Sequence, residues 1–264
     1  MHQFAANLST IFTEVPFLER FKKAKQAGFS LVECQFPYRY SIEDIKKQLV
    51  EHQQSMVLIN LPPGDWVKGD RGLAIASNRS EEFRESVDLG IHYATNLKTY
   101  NIHCMSGILA TEEEKEHARE VYIKNIKYAA AKMAEHNLTL MIEPINKFDI
   151  PGYFLSNFND AVDIVQEVQL PNVKLQYDFY HIQRMQGNLM ATFQRYSNLI
   201  GHIQIADVPG RHQPGTGEIH YQQVFNFLKN SRYEGYIGLE YVPKEKSEDS
   251  FGWLSSIENG GGKS

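Results

Sequence analysis

A chain of 264 residues with 42% hydrophobic and 22% charged side chains has the composition of a globular protein with a large core. A net charge of -5 without a long basic run argues against a general nucleic-acid or anionic-membrane surface. Cys34 and Cys104 lack CxxC spacing, which excludes a disulfide scaffold and fits a reduced, cytoplasmic setting; no signal peptide or membrane-length apolar run is visible.

The first β-like run is "HQFAANL". Leu18, Phe21 and Ala24 follow at helical spacing and stop at Gly28. "SLVECQF" is the second strand, and Ser41 opens a helix with Ile42, Ile45 and Leu49 on one face. After the strand "SMVLINL", the connection from Leu61 to Arg79 has turn chemistry and no clear period. Long ordered loops are often functional, so it is expected over the mouth of the fold. Ser80 opens the next helix, with Phe83, Val87, Ile91 and Ala94 in line. "TYNIHCM" follows, then a helix through Tyr122, Ile126, Ala129 and Met133, then the strand "LTLMIEP". "VKLQYDF" precedes a helix with Leu189, Phe193 and Tyr196; "GHIQIAD" precedes one with Val224, Phe227 and Leu228; "YIGLEYV" closes the series.

Alternating strands and helices imply a parallel sheet with right-handed crossovers. Eight such units in this length match a single (β/α)8 TIM barrel over residues 1–258, with a flexible tail at 259–264. An open doubly wound sheet is the competitor, weakened because no glycine-rich phosphate fingerprint follows the first strand.

Acids in apolar strands need an explanation, because a buried carboxylate is costly unless paired, metal-bound or solvated. Side chains alternate along a strand. Glu143, Asp178, Gln204 and Glu240 lie on the edge opposite the apolar one in four consecutive strands, near their C-terminal ends, where a barrel points them inward at its catalytic face. Carboxylates and an amide oxygen converging there form a ligand set for a hard divalent ion, Mg2+ or Mn2+. Any one of these acids alone reads as a solvated rim carboxylate; the four together carry the inference.

His103 has inward parity and His181 lies in the loop after the strand bearing Asp178. Each reads as a proton shuttle or substrate donor, or else as a satisfied rim histidine. His202 sits deeper and reads as structural. Arg211, after the seventh strand, and Arg71, in the long loop, are candidates to hold an anionic group, against the plainer reading of solvated surface cations. Cys104 has no base on its own face and reads as core packing.

The segments "FAANLS..FTE", "NLPPGDWVKGDRG", "IEPIN.FDIPG", "QYDFYHIQRMQG", "HIQIADVPGRHQPGTGEI" and "GLEYVP" together resemble the hydroxypyruvate isomerase family within the xylose-isomerase-like barrels, nearly from end to end. The resemblance implies a TIM barrel that interconverts hydroxypyruvate and tartronate semialdehyde. It implies Glu143 and Glu240 as catalytic acid and base, and Glu143, Asp178, Gln204 and Glu240 as the metal site. It also implies a small 2-oxo or hydroxy acid as the partner, and the related ketose epimerases place a substrate-contacting histidine where this chain has His181. A homo-oligomer is compatible with the sequence. The related ketose epimerases usually have His where this chain has Gln204, and Lys147 stands where close relatives are expected to have His. A sister group acts on 2-oxo-tetronates.

Overall fold

The computed structural model describes residues 2–259. The nine strand segments run parallel in the order β3-β2-β1-β9-β8-β7-β6-β5-β4. They are β1 (Gln3–Asn7), β2 (Leu31–Glu33), β3 (Ser55–Met56), β4 (Leu58–Asn60), β5 (Asn101–His103), β6 (Thr139–Ile142), β7 (Val173–Asp178), β8 (Ile200–Ile205) and β9 (Tyr236–Leu239). β3 and β4 are one stave interrupted at Val57. The Cys34 N–H donates to the Leu58 carbonyl and the Asn60 N–H to the Gln35 carbonyl, so this stave joins β2 to β5 and closes the barrel. The eight predicted runs are therefore its eight staves.

The helices α1 (Phe17–Gln26), α2 (Ile42–Glu51), α3 (Ser80–Leu97), α4 (Lys115–Ala134), α5 (Phe158–Val168), α7 (Leu189–Tyr196) and α8 (Tyr221–Asn230) occupy the connections. Each forms where sequence demands it. Ser41 Oγ accepts from the Asp44 N–H and starts α2, whose Ile42, Ile45 and Leu49 are buried. Phe83, Val87, Ile91 and Ala94 bury the inner face of α3, as their spacing predicts. The predicted helix through Val224 and Leu228 is also present, with Phe225, not Phe227, completing its buried face.

Three helices fall outside the predicted set: α5, capped by Asn157; α6 (Phe179–Met185), which begins directly at the end of β7; and α9 (Trp253–Asn259). Trp253 of α9 stacks on Phe225 at 5.5 Å. Asn259 ends α9, and the rest of the expected tail lies outside the described residues.

Outward-facing strand residues and inward helix faces form the main core. Inside the barrel, Ala5, Val57, Leu58 and Met141 form a small separate apolar plug, with Leu31 and Tyr236 packed against it. Polar side chains fill the interior toward the C-terminal ends of the strands. Cys34 and Cys104 are both buried and unpaired, and burial pushes the Cys104 thiol up to about 12 and the Cys34 thiol up as well.

The connection between Leu61 and Arg79 stands on the C-terminal rim. Trp66 packs its ring 5.4 Å from Phe36, just past β2, and the Ile75 N–H donates to the Ser106 carbonyl past β5. Asp70 organises this loop. It accepts from the Asp65 N–H and pairs with Arg79 at 2.8 Å. Gly72, at φ +111°, passes so close to the Met105 carbonyl that a side chain there would collide with it.

Candidate active site

Every acid of the predicted set lies at the same end of the barrel. Glu143 follows β6, Asp178 ends β7, Gln204 lies within β8 and Glu240 follows β9. Asp178 and Gln204 are register partners across β7 and β8. All four are at most 5% exposed. Strand alternation places them there, as their sequence parity predicts.

Arg211 ties these acids together. Its Nη2 lies 2.6 Å from Glu240 Oε2 and 3.6 Å from Asp178 Oδ2, its Nη1 lies 3.5 Å from Asp149 Oδ2, and its guanidinium sits over the Tyr180 ring. The sequence casts Arg211 as a free anchor for substrate; the structure makes it first the counter-ion of three carboxylates. Its side chain keeps 26% exposure, so one face stays open.

His181 stands on the first turn of α6, not in a loop, because Asp178 Oδ1 accepts from the Tyr180 N–H and caps that helix. Glu143, Asp178 and His181 bring donor atoms within 4.8 Å of one another, a cluster compatible with a divalent metal. Asn146 decides how His181 takes part. Asn146 Oδ1 accepts from the backbone N–H groups of Phe148 and Asp149, so its Nδ2 donates to His181 Nδ1 at 2.7 Å. The neutral imidazole then carries its proton on Nε2, 3.6 Å from Asp178 Oδ2. The two carboxylates offer open oxygens: Glu143 Oε1 and Asp178 Oδ2 are buried without a hydrogen-bond partner. An unmatched pair of buried acceptors is what a cation would satisfy.

Gln204 and Glu240 are engaged on more sides than the sequence suggests. Gln204 Oε1 accepts from Gln176 Nε2 at 2.6 Å and its Nε2 donates to Glu33 at 2.8 Å. Glu240 Oε1 accepts from Asn7 and Gln35. His103 is 1% exposed, with neither ring nitrogen hydrogen-bonded, and its Nε2 lies 3.7 Å from Glu143 Oε2.

Burial dominates the electrostatics. It raises the Glu143 carboxyl well above its usual range, helped by Glu240 and Asp178 and opposed by Arg211. It pushes Asp178 up to about 7 against the pull of Arg211, and raises Glu240 against the same pull. Burial lowers His103 to about 3, with His202 adding to it, and lowers His181 well below its ordinary value, with Arg211 adding to it. Without a cation, burial thus biases the acids toward their protonated forms and the histidines toward neutrality, and Arg211 opposes it at Asp178 and Glu240.

One sequence candidate, Arg71, and the departure at Lys147 lie elsewhere. Arg71 folds onto its own loop, its guanidinium 3.7 Å from the Trp66 ring and its hydrogen bonds given to the carbonyls of Trp66 and Asp70. A cation stacked on its own rim loop is not brought to the carboxylates. Lys147 is largely exposed, 3.8 Å from Glu112, so it adds no charge inside the barrel. Glu33, Asn7, Gln35, Gln176, Asn146 and Asp149 all contact the site and are absent from the predicted set. Glu33 carried the signal that marked Glu240, an acid inside an apolar strand.

The family described as xylose isomerase-like TIM barrel matches residues 21–257. Hydroxypyruvate isomerase of Escherichia coli (strain K12) is 43% identical over 254 residues, covering 96% of this chain and 98% of its own length. The 2-oxo-tetronate isomerase of Cupriavidus necator is 39% identical, covering 96% and 98%. A crystal structure described as AP endonuclease, family 2, from Brucella melitensis superposes with a TM-score of 0.94 at 44% identity, covering 97% of this chain and 99% of that one.

Proposed function

The chain belongs to the hydroxypyruvate isomerase family of the xylose isomerase-like TIM barrels and is an isomerase, and on that premise we propose that it interconverts hydroxypyruvate and 2-hydroxy-3-oxopropanoate (tartronate semialdehyde) through an enediol. The observation that carries this reading is the pair of buried glutamates, Glu143 and Glu240, on separate staves at one barrel mouth, with Arg211 between the acids.

The isomerisation moves a proton from C3 of hydroxypyruvate to C2, while the O3 hydroxyl proton passes to O2. A ketone beside the hydroxymethyl group acidifies the carbon-bound proton. One glutamate takes that proton and the same or the other returns it one carbon along, the scale of such help being about 10²–10⁴-fold. His181 offers Nε2–H and His103 a neutral ring to the substrate oxygens. The open face of Arg211 receives the substrate carboxylate, fixing which end of the small acid meets the glutamates. Glu143 and Asp178, with Gln204 and Glu240 beside them, would hold a divalent ion, Mg2+ ahead of Mn2+. When bound, such an ion supplies positive charge where the enediolate gathers its negative charge.

The 2-oxo-tetronate isomerases among the relatives, at 36–39% identity, support a second reading: the same chemistry on a substrate one carbon longer. The description of the Brucella melitensis structure names an AP endonuclease, but two features weigh against a nucleic-acid substrate here. The chain carries a net charge of -5, and the one candidate metal cluster among the described residues holds a single histidine. No helix among the described residues is long and apolar enough to cross a membrane, and two buried free cysteines favour a cytoplasmic setting.

Turnover of hydroxypyruvate and of 2-oxo-tetronates, measured side by side with and without a chelator, tests the proposal. Faster turnover of hydroxypyruvate supports it; preference for the four-carbon acid moves the assignment to the second reading; no turnover of either removes both.

A further inference from the structure

Behind the candidate active site lies a buried carboxylate that the proposed reaction does not use. Glu33 ends β2 and has no solvent exposure. Its carboxylate accepts three hydrogen bonds: from His202 Nε2 at 2.7 Å, from Gln204 Nε2 at 2.8 Å and from Asn7 Nδ2 at 2.9 Å. The barrel makes room for it. β9 passes so close that a Cβ on Gly238 would collide with both Glu33 oxygens, so the stave that leads to Glu240 has no side chain at that level.

We propose that Glu33 is a positioning residue that dictates which end of the Gln204 amide faces the active site and that braces Glu240 through Asn7. The proposal rests on the functional reading above. A glutamine side chain is nearly isosteric about its amide; only its partners choose between oxygen and nitrogen. Glu33 accepts hydrogen bonds and does not donate them, so it takes the amide N–H. Gln176 Nε2 donates to the opposite end and therefore takes the oxygen. Gln204 is held between one acceptor and one donor, and the oxygen lies on the side away from Glu33. A flipped amide would set oxygen against carboxylate at Glu33, a buried mismatch, while Gln176, whose own Oε1 has no partner, can turn with it, so the choice falls to Glu33. Asn7 Nδ2 is shared between Glu33 Oε1 and Glu240 Oε1, at 2.9 and 3.2 Å, so the same carboxylate sets where Glu240 stands. His202 holds Glu33 from the other side. Its role is structural, as the sequence suggests, but structural toward this carboxylate.

The test uses Glu33→Gln, Gln204→Glu and the exchanged double variant Glu33→Gln/Gln204→Glu. The first removes the discrimination, since an amide at position 33 accepts or donates. Loss of such a supporting contact to a site residue typically costs about 10–100-fold in activity or metal affinity, so kcat should fall by that factor with KM little changed. The double variant restores one acceptor and one donor with their places exchanged, and an oxygen again faces the site; its kcat should exceed that of either single variant. A merely structural role would move the melting temperature alone. A readout independent of turnover is the Gln204 side-chain amide resonance pair in 1H–15N spectra, assigned by its disappearance in Gln204→Glu. In the wild-type protein one proton should be shifted downfield and protected by the Glu33 carboxylate, and the shift should be lost in Glu33→Gln. Wild-type kcat in folded Glu33→Gln, an unshifted pair in the wild-type protein, or additive losses in the double variant would each overturn the proposal. If the wild-type protein turns over neither substrate while the resonance behaves as expected, the functional reading fails and the positioning of Gln204 stands.

Discussion

Arg211 Nη2 lies 2.6 Å from Glu240 Oε2, so a loop cation holds one of the two acids assigned to proton transfer. Arg211 itself adopts φ +55°, and its carbonyl accepts from the Val242 N–H, just beyond Glu240. Loop and stave are therefore fixed to each other from both ends.

Replacing Arg211 by Lys keeps the charge and removes the planar fork that reaches Glu240, Asp178 and Asp149 together. One lost charge-assisted hydrogen bond costs about 1.5–3 kcal/mol, roughly 10- to 100-fold in kcat/KM. Steady-state kinetics should show KM rising as well, because the substrate carboxylate loses the same fork. Wild-type constants for this variant would place the anchor elsewhere.

Glu143→Gln and Glu240→Gln are each expected to reduce kcat by at least about a hundredfold, the scale of a lost acid–base group. Both changes are nearly isosteric, so the circular dichroism spectrum should be unchanged. A folded variant with near-normal turnover would take that glutamate out of the mechanism.

The raised carboxyls give the metal-free protein a pH signature. His103 and His181, lowered in the fold, contribute stability that rises as pH passes through the unfolded value of 6.5, opposite in sign to the carboxyls, and only from about pH 7.5 upward do they drop out of the balance. Burial pushes Asp178 up to about 7 from 3.8 and raises Glu143 well above its ordinary value. A carboxyl raised in the folded state binds its proton more tightly there. Its favourable contribution is complete below the unfolded value and is lost as pH rises through the folded one. Thermal unfolding in the presence of chelator should therefore give a lower Tm at pH 8.5 than at pH 7.5, with Glu143 the main contributor. Added Mg2+ or Mn2+ should recover more at pH 8.5, because at pH 7.5 binding must first displace more protons. A chelated protein whose Tm is flat or rises over that interval would contradict the assignment.

Much of this arrangement is legible in the chain, and the reasons for the remainder are local. All eight staves announce themselves as short apolar runs bounded by turn or helix signals, most of them rich in β-branched residues. The parity of Glu143, Asp178, Gln204 and Glu240 follows from a period of two. α5 is harder, because "DAVDIVQEV" is rich in the Val and Ile that also mark strands. α6 has seven residues, too few to show a period, and starts directly after the last residue of β7, which caps it. Glu33 carries the same anomaly as Glu240 but lies below the rim, where the residues that explain it come from β1, β8 and β9. The partners of Arg211 likewise come from after β6, from the end of β7 and from after β9, and no local pattern names them.

Proton transfer, not hydride shift, is the expected route. Two glutamates on separate staves provide acceptors for a carbon-bound proton, and a buried site with one candidate metal cluster among the described residues does not call for a second ion. Isomerisation in D2O, followed by NMR at early times with the product trapped, should place solvent deuterium on C2. Complete internal transfer from substrate deuterated at C3, without solvent label, would establish the hydride route.

The interrupted stave at Val57 has a neighbour with a thiol on either side: Cys34 follows β2 and Cys104 follows β5, both buried and both with raised pKa values. A thiol reagent attacks only exposed thiolate, so the closed barrel is chemically silent. The chain thus carries its own clock for breathing motions. Alkylation of either cysteine timestamps a molecule whose wall has come apart, and the order in which the two are modified tells on which side of the seam it parted first.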